Sequence, residues 1–132
     1  FTYGDGLTNA NINNIIKKHD DSKKLCTFLG IKSPSKFGSF TSDANGNVTC
    51  FSEKACDNSY VNGGFFVCET EVFKYIKNDK TSWEFEVLPE LVKDKQLMAY
   101  RYDGFWKSMD SLKDKMELEE MWNSGKAPWQ IW

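Results

Sequence analysis

Phe1-Thr2-Tyr3-Gly4-Asp5-Gly6-Leu7-Thr8-Asn9-Ala10-Asn11-Ile12 is the stretch that decides the fold class. Its first three residues, aromatic and β-branched, read as the end of a strand already in progress, and Gly4-Asp5-Gly6 is a turn signal. Beyond the turn, Ile12, Ile15, Ile16 and His19 recur at helical spacing, and Asn9 or Asn11 can cap that helix by accepting a backbone N–H bond. Strand, turn and helix in that order point to an α/β domain. The opening in mid-strand, without an initiator Met, predicts a piece of a longer chain.

Working outward, a strand-rich block follows the helix. Leu25 to Ile31 reads as a strand, Ser33-Pro34-Ser35-Lys36 breaks it, and Phe37 to Thr41 is a short strand. Asp43-Ala44-Asn45-Gly46-Asn47 carries a glycine where positive φ is needed, so it should turn a hairpin into Val48 to Glu53. A polar loop over 55–59 leads to a strand over Gly64 to Cys68. Helical patterns over Glu69 to Ile76 and Ser82 to Lys93 come next, with Thr81 or Ser82 as the second cap and Pro89 kinking or restarting the second helix. Gln96 to Tyr102 alternates as a strand, and Gly104 to Met109 is a short strand-like run. Asp110 or Ser111 then caps an amphipathic helix that ends at Gly125 as its C′ glycine. Neither a repeat nor a linker interrupts the pattern, so residues 1–132 read as one α/β domain with some antiparallel hairpin.

Composition narrows the function classes. The 132 residues are 40% apolar and 27% charged, enough for a packed core and too apolar for intrinsic disorder. Seventeen basic against nineteen acidic residues are interspersed, and without a basic tract the chain is not expected to bind nucleic acid or an anionic membrane. Its longest apolar runs fall far short of the roughly 20 residues of a membrane helix, and without a signal peptide the chain is expected to be soluble and cytoplasmic. Cys26 and Cys68 sit in strand-like runs, and Cys26, Cys50, Cys56 and Cys68 form no CxxC pair, so reduced thiols are expected, with a disulfide or a zinc site as the alternatives.

The single His and single Arg, His19 and Arg101, leave too few parts for a Ser/His/Asp or Cys/His hydrolase. Flanked by Lys17, Lys18, Asp20 and Asp21, His19 reads as a solvated helix-end residue. Acidic residues at strand ends carry more chemistry. Asp5, between two glycines after a strand, can project from the carboxyl edge of a sheet, where α/β folds bind ligands. Asp110 follows a strand-like run just before a helix, and two such carboxylates can share one hard cation such as Mg²⁺ together with phosphate oxygens. A turn Asp and an N-cap Asp are equally ordinary structural uses of the same residues. Lys54 can offer a point charge to a phosphate, the Asn62 amide can bond sugar hydroxyls, and Gly63-Gly64 permits close backbone approach or simply a tight turn. Trp122, Trp129 and Trp132 can stack on sugar rings or pack on the domain itself or on a neighbouring subunit.

Taken in order, Tyr3-Gly4-Asp5-Gly6-Leu7-Thr8, Phe37-Gly38, Phe51-Ser52-Glu53-Lys54, Tyr60-Val61-Asn62-Gly63-Gly64-Phe65-Phe66-Val67, Gln96-Leu97-Met98-Ala99-Tyr100, Asp103-Gly104-Phe105-Trp106, Met109-Asp110-Ser111 and Gly125-Lys126-Ala127-Pro128-Trp129 are collinear with one family's phrases. The chain resembles the C-terminal half of the glucose-1-phosphate cytidylyltransferases, within the sugar nucleotidyltransferases. The resemblance implies the C-terminal portion of a Rossmann-like, three-layer nucleotide-diphospho-sugar transferase fold with a mixed sheet. The half bearing the GGxGTR loop that grips the triphosphate is absent, so this chain alone is expected to be inactive.

The implied reaction joins CTP and α-D-glucose 1-phosphate into CDP-glucose and diphosphate with Mg²⁺, feeding dideoxysugar, O-antigen and lipopolysaccharide synthesis, in an enzyme that is a homo-oligomer when full length. By resemblance Asp5 and Asp110, 105 residues apart, are the Mg²⁺ ligands, and Gly4 is a backbone contact to substrate. Lys54 meets the sugar phosphate; Glu53, Asn62 and Gly63 line the sugar pocket, and Trp83-Glu84 starts a helix beside it. Departures from the family pattern are Ala55 where Pro is usual after Lys54, Val87 and Pro89 in place of a Glu-Pro-Leu-Glu phrase, and Ser111 for Thr. A sugar-phosphate-binding or subunit-interaction module without catalysis, or a transferase for another base or sugar, are the competing readings.

Overall fold

The computed structural model describes residues 1–32, 39–43, 45–52 and 60–131. Strand β2 (Cys26–Lys32) is its axis. Cys26 and Phe28 point into one core cluster, with Phe66, Val87, Leu88, Leu91 and Leu97, whereas Leu29 and Ile31 point into another, with Ala10, Ile15 and Val61. A strand buried on both faces reads as a nearly continuous apolar run, as Leu25 to Ile31 does around the buried Thr27. On one face lies helix α1 (Ile12–Ser22), capped by Asn11, whose Oδ1 accepts from the Asn13 amide at 2.9 Å. The other face carries a 3₁₀ turn (Thr70–Tyr75), a π turn (Trp83–Val87) and α2 (Leu88–Lys93). The domain therefore has three layers.

The central sheet has the order β4-β3-β5-β2-β6, built from β3 (Ser39–Ser42), β4 (Val48–Ser52), β5 (Tyr60–Cys68) and β6 (Leu97–Tyr102). Only β2 and β6 are parallel, so the sheet is mixed, as expected of the fold class. The hairpin between β3 and β4 turns at Gly46 with φ +89°. Pro89 sits in the first turn of α2, where its missing N–H costs nothing, and it restarts the helix after the π turn that Ser82 caps. No helix among the described residues is long and apolar enough to cross a membrane.

A second, two-stranded sheet pairs β1 (Gly6–Thr8) with β7 (Trp106–Ser108), antiparallel, with Gly6 opposite Ser108. Helix α3 (Leu112–Asn123) follows it, with Ser111 rather than Asp110 as the cap in a reciprocal capping box with Asp114. Gly125, φ +68°, ends that helix. Residues 1–3 run along the outer edge of β5: the Phe66 amide donates to Phe1 O at 2.8 Å, and the Tyr3 amide to Gly64 O at 3.0 Å.

Two expectations need correction. His19 is not solvated; one turn beyond Ile15 on the same face, it is carried under α1, where Nδ1 lies 3.0 Å from Thr27 Oγ1 and Nε2 3.4 Å from Glu69 Oε1. Asn62-Gly63-Gly64 is not a tight turn before a strand but the interior of β5, where β5 advances four residues while β2 advances two. Such a bulge needs backbone freedom, and Gly64 adopts φ +75° there. The break at 33–36, the start of β3 at 37–38, and the loop at 53–59, with Glu53, Lys54 and Cys56, lie outside the described residues.

Candidate active site

The bulge is the joint between the large sheet and the ribbon. Gly63 O accepts from Trp106 Nε1 at 2.8 Å, which docks β7 on β5. A Cβ at Gly63 would lie 3.0 Å from Leu29 O and 3.2 Å from Ile31 Cγ2, so only glycine lets β5 press this closely on β2. A Cβ built at Gly6 would lie 3.5 Å from Phe65 Cε2 and 3.7 Å from Gly63 O. Gly6 of the Gly-Asp-Gly turn therefore rests against the bulge.

The ribbon then brings the two carboxylates to one end. Asp5 immediately precedes Gly6, and its carbonyl accepts from the Met109 amide at 2.9 Å. Asp110 is the next residue after Met109, and its Oδ2 accepts from Ser108 Oγ at 2.8 Å. Both residues are exposed, and among the described residues neither has an ion-pair partner. The nearby cation, Lys107, is turned to α3 instead, 3.5 Å from Asp114 Oδ1 and 2.5 Å from Glu117 Oε2.

On the bulge's other flank Tyr3 links two further candidate positions. Its hydroxyl donates to Glu84 Oε1 at 2.7 Å and accepts from Asn62 Nδ2 at 3.3 Å, while Asn62 Oδ1 accepts from the Gly64 amide at 2.9 Å. Burial first, then the Glu84 carboxylate, push the Tyr3 hydroxyl well above its usual range, with a smaller contribution from Asp5, so it stays a neutral donor. Trp83 stands edge-on to Phe66 at 5.5 Å and to Phe1 at 5.1 Å, which makes it a packing residue at the rim of the core. Gly4 is exposed, with open space around its α-carbon.

One chain of contacts thus connects Asp5, Asp110, Asn62, Gly63 and Glu84. Glu53 and Lys54 lie outside the described residues. Sequence reading passed over Tyr3 and Trp106 as parts of this arrangement, although both stand in the phrases quoted for the resemblance. Asn9, named as a possible helix cap, instead clasps the ribbon by accepting from Tyr102 Oη at 2.6 Å and from the Phe105 amide at 2.9 Å. Trp129 packs on Phe105 with ring centroids 5.5 Å apart, so this part of the aromatic tail folds back on its own domain.

Asp5 and Asp110 are hard oxygen donors, and Mg²⁺ is held by one or two carboxylates with phosphate oxygens completing its shell. The donor set fits that ion in the company of a phosphate. The described residues contain no group of three or more His, Cys, Asp or Glu that could hold a metal by themselves.

This three-layer domain with a mixed sheet has the fold of a nucleotidyltransferase half. It superposes with TM-score 0.73 over 94% of its length on 52% of a Bacillus anthracis protein described as a glucose-1-phosphate thymidylyltransferase, at 20% identity. The profile of the nucleotidyl transferase family matches residues 1–122, and the chain belongs to that family. Among curated relatives, it is 43% identical over 133 aligned positions to the glucose-1-phosphate cytidylyltransferase of Salmonella typhi, covering 100% of this chain and 51% of that protein. The protein of the same name from Salmonella typhimurium gives the same identity and coverage. The chain spans about half the length of these relatives.

Proposed function

We propose that this chain supplies the C-terminal, sugar-side half of a glucose-1-phosphate cytidylyltransferase, which joins CTP and α-D-glucose 1-phosphate into CDP-glucose and diphosphate. The observation that carries the reading is the ribbon end, where Asp5 and Asp110 flank the one hydrogen bond from Met109 N to Asp5 O. The 43% identity to cytidylyltransferases along the whole chain supports the choice of reaction.

In this reading a phosphate oxygen of the sugar phosphate attacks the α-phosphorus of CTP in line and diphosphate leaves. Positioning and charge neutralisation are the protein's main tasks in such a transfer. Asp5 and Asp110 would hold Mg²⁺; when bound, the ion offsets the repulsion between two phosphate groups. Lys54 would neutralise the incoming phosphate, and Gly4 would contact substrate through its backbone. Glu53, Asn62, Gly63 and Glu84 would orient the sugar, with Trp83 bracing the turn that carries Glu84. The loop gripping the triphosphate belongs to the other half, so the chain alone does not turn over. The complete enzyme would be a cytoplasmic homo-oligomer serving the synthesis of O-antigen and lipopolysaccharide sugars.

The test is diphosphate release by the complete enzyme with Mg²⁺, comparing CTP with other triphosphates and glucose 1-phosphate with other sugar phosphates. CTP with glucose 1-phosphate should be preferred, and Asp5→Asn and Asp110→Asn should each lower kcat by about 10²–10³, the size of losing a key electrostatic group. Sugar-phosphate binding without diphosphate release would identify a non-catalytic module, and full activity of either variant would remove the carboxylates from the mechanism.

A further inference from the structure

Away from the ribbon, β2 and β5 bring two thiols face to face. Cys26 and Cys68 are direct partners in the antiparallel register, their Sγ atoms are 3.4 Å apart, and both are free thiols. The Cys26 amide donates to Gln96 O at 3.1 Å, on the β6 side, while the Glu69 amide donates to Leu25 O at 2.9 Å. The two cysteines are therefore a non-hydrogen-bonded pair, the kind whose α-carbons stand closest, at about 4.5 Å. That separation lies within the roughly 4.4–6.8 Å that disulfides span, so side-chain rotation alone can join the sulfurs.

We propose that Cys26 and Cys68 are a reversible dithiol–disulfide site, oxidised by peroxide, whose bond staples β2 to β5. The proposal is independent of the nucleotidyl-transfer reading. Cys68 is the entry point. It is partly exposed, and its hydrogen bond with Cys26 holds its thiol below the ordinary range. The same hydrogen bond, with burial, pushes Cys26 up, so Cys26 remains the thiol. The Cys68 thiolate attacks the peroxide O–O bond, takes one oxygen as a sulfenic acid and releases hydroxide. Cys26 then attacks the sulfenic sulfur: the S–S bond forms, the S–O bond breaks, and the thiol proton leaves with the hydroxyl group as water. Together the sulfurs give up two electrons to the peroxide. A dithiol reductant reverses the reaction by exchange.

The bond would close the 42-residue span that holds β3, β4 and the Asn62-Gly63 bulge. Constraining the unfolded chain over such a span should raise the thermal midpoint by on the order of 10 °C.

The test uses the 132-residue chain with Cys50→Ser and Cys56→Ser, which leaves only this pair. After treatment with hydrogen peroxide, the intact mass should fall by two hydrogens and titratable thiols from two to none. Tryptic peptides 25–32 and 55–74 should be joined, and dithiothreitol should restore both thiols. Cys68→Ser, altering the partly exposed partner rather than the buried one, should abolish the mass loss. Sulfinic acid on Cys68 with Cys26 still alkylatable, links only between different chains, or an oxidised form less heat-stable than the reduced one would each overturn the proposal.

Discussion

Replacing Gly64 by alanine tests the joint on which the candidate site is built. At φ +75° a side chain costs about 1–2 kcal/mol, partly offset by about 0.4–1 kcal/mol from a less flexible unfolded chain. The added Cβ would stand 2.7 Å from Tyr3 Cδ2 and 3.2 Å from Tyr3 Cγ, so the ring or the strand must move. Overpacking of that kind costs about 1–3 kcal/mol, and a displaced Tyr3 gives up its bond to Glu84 at about 1 kcal/mol more. The expected loss is about 3–4 kcal/mol. Gly125→Ala is the control, because φ is +68° there with nothing within 4 Å of the new atom, so it should lose only about 1 kcal/mol. Urea denaturation of both variants, with m unchanged, should separate them by at least about 2 kcal/mol, or roughly 8 °C in thermal midpoint. If Gly64→Ala costs no more than Gly125→Ala, the bulge does not press on Tyr3 and the route from Asp5 to Glu84 is wrong.

Tyr3→Phe should keep the fold within about 1–2 kcal/mol while removing the hydroxyl shared by Asn62 and Glu84, and in the complete enzyme it should raise KM for the sugar phosphate more than it lowers kcat. An unchanged KM would exclude Tyr3 from positioning. Ser111→Ala should cost about 1 kcal/mol in thermal denaturation by opening the capping box of α3. The Lys107 hydrogen bond holds Glu117 below its ordinary 4.5, while bonds from Ser111 come first in holding Asp114 below 3.8. Because both values are depressed in the fold, their contribution to stability is complete above about pH 4.5 and is lost as pH falls through the folded values. By carboxyl NMR titration, Lys107→Met should return Glu117 to its ordinary range and leave Asp114 depressed; equal shifts at both sites would contradict this division.

Much of the fold was legible because its signals are local. Leu25 to Ile31 has too few polar residues for a half-exposed strand, Gly46 marks the hairpin between β3 and β4, and Pro89 signals a kink or a restart, of which the structure takes the restart. The bulge in β5 was not legible. Asn-Gly-Gly signals flexibility, and whether the chain turns or continues through it depends on β2 across the sheet and Trp106 against it. His19 misled for the same reason. Four charged neighbours argue for solvent, but helical phase fixed by Ile15 on β2 buries the imidazole.

The sequence by itself determined the family, through phrases kept in order along the chain, and the α/β class, through periodicities of a few residues. It named Asp5 and Asp110 but left them 105 residues apart. Only the tertiary structure put them at one ribbon end, and only it paired Cys26 with Cys68. Propensity acts between neighbours in the chain, whereas these meetings depend on strand register, which is fixed by packing across the sheet.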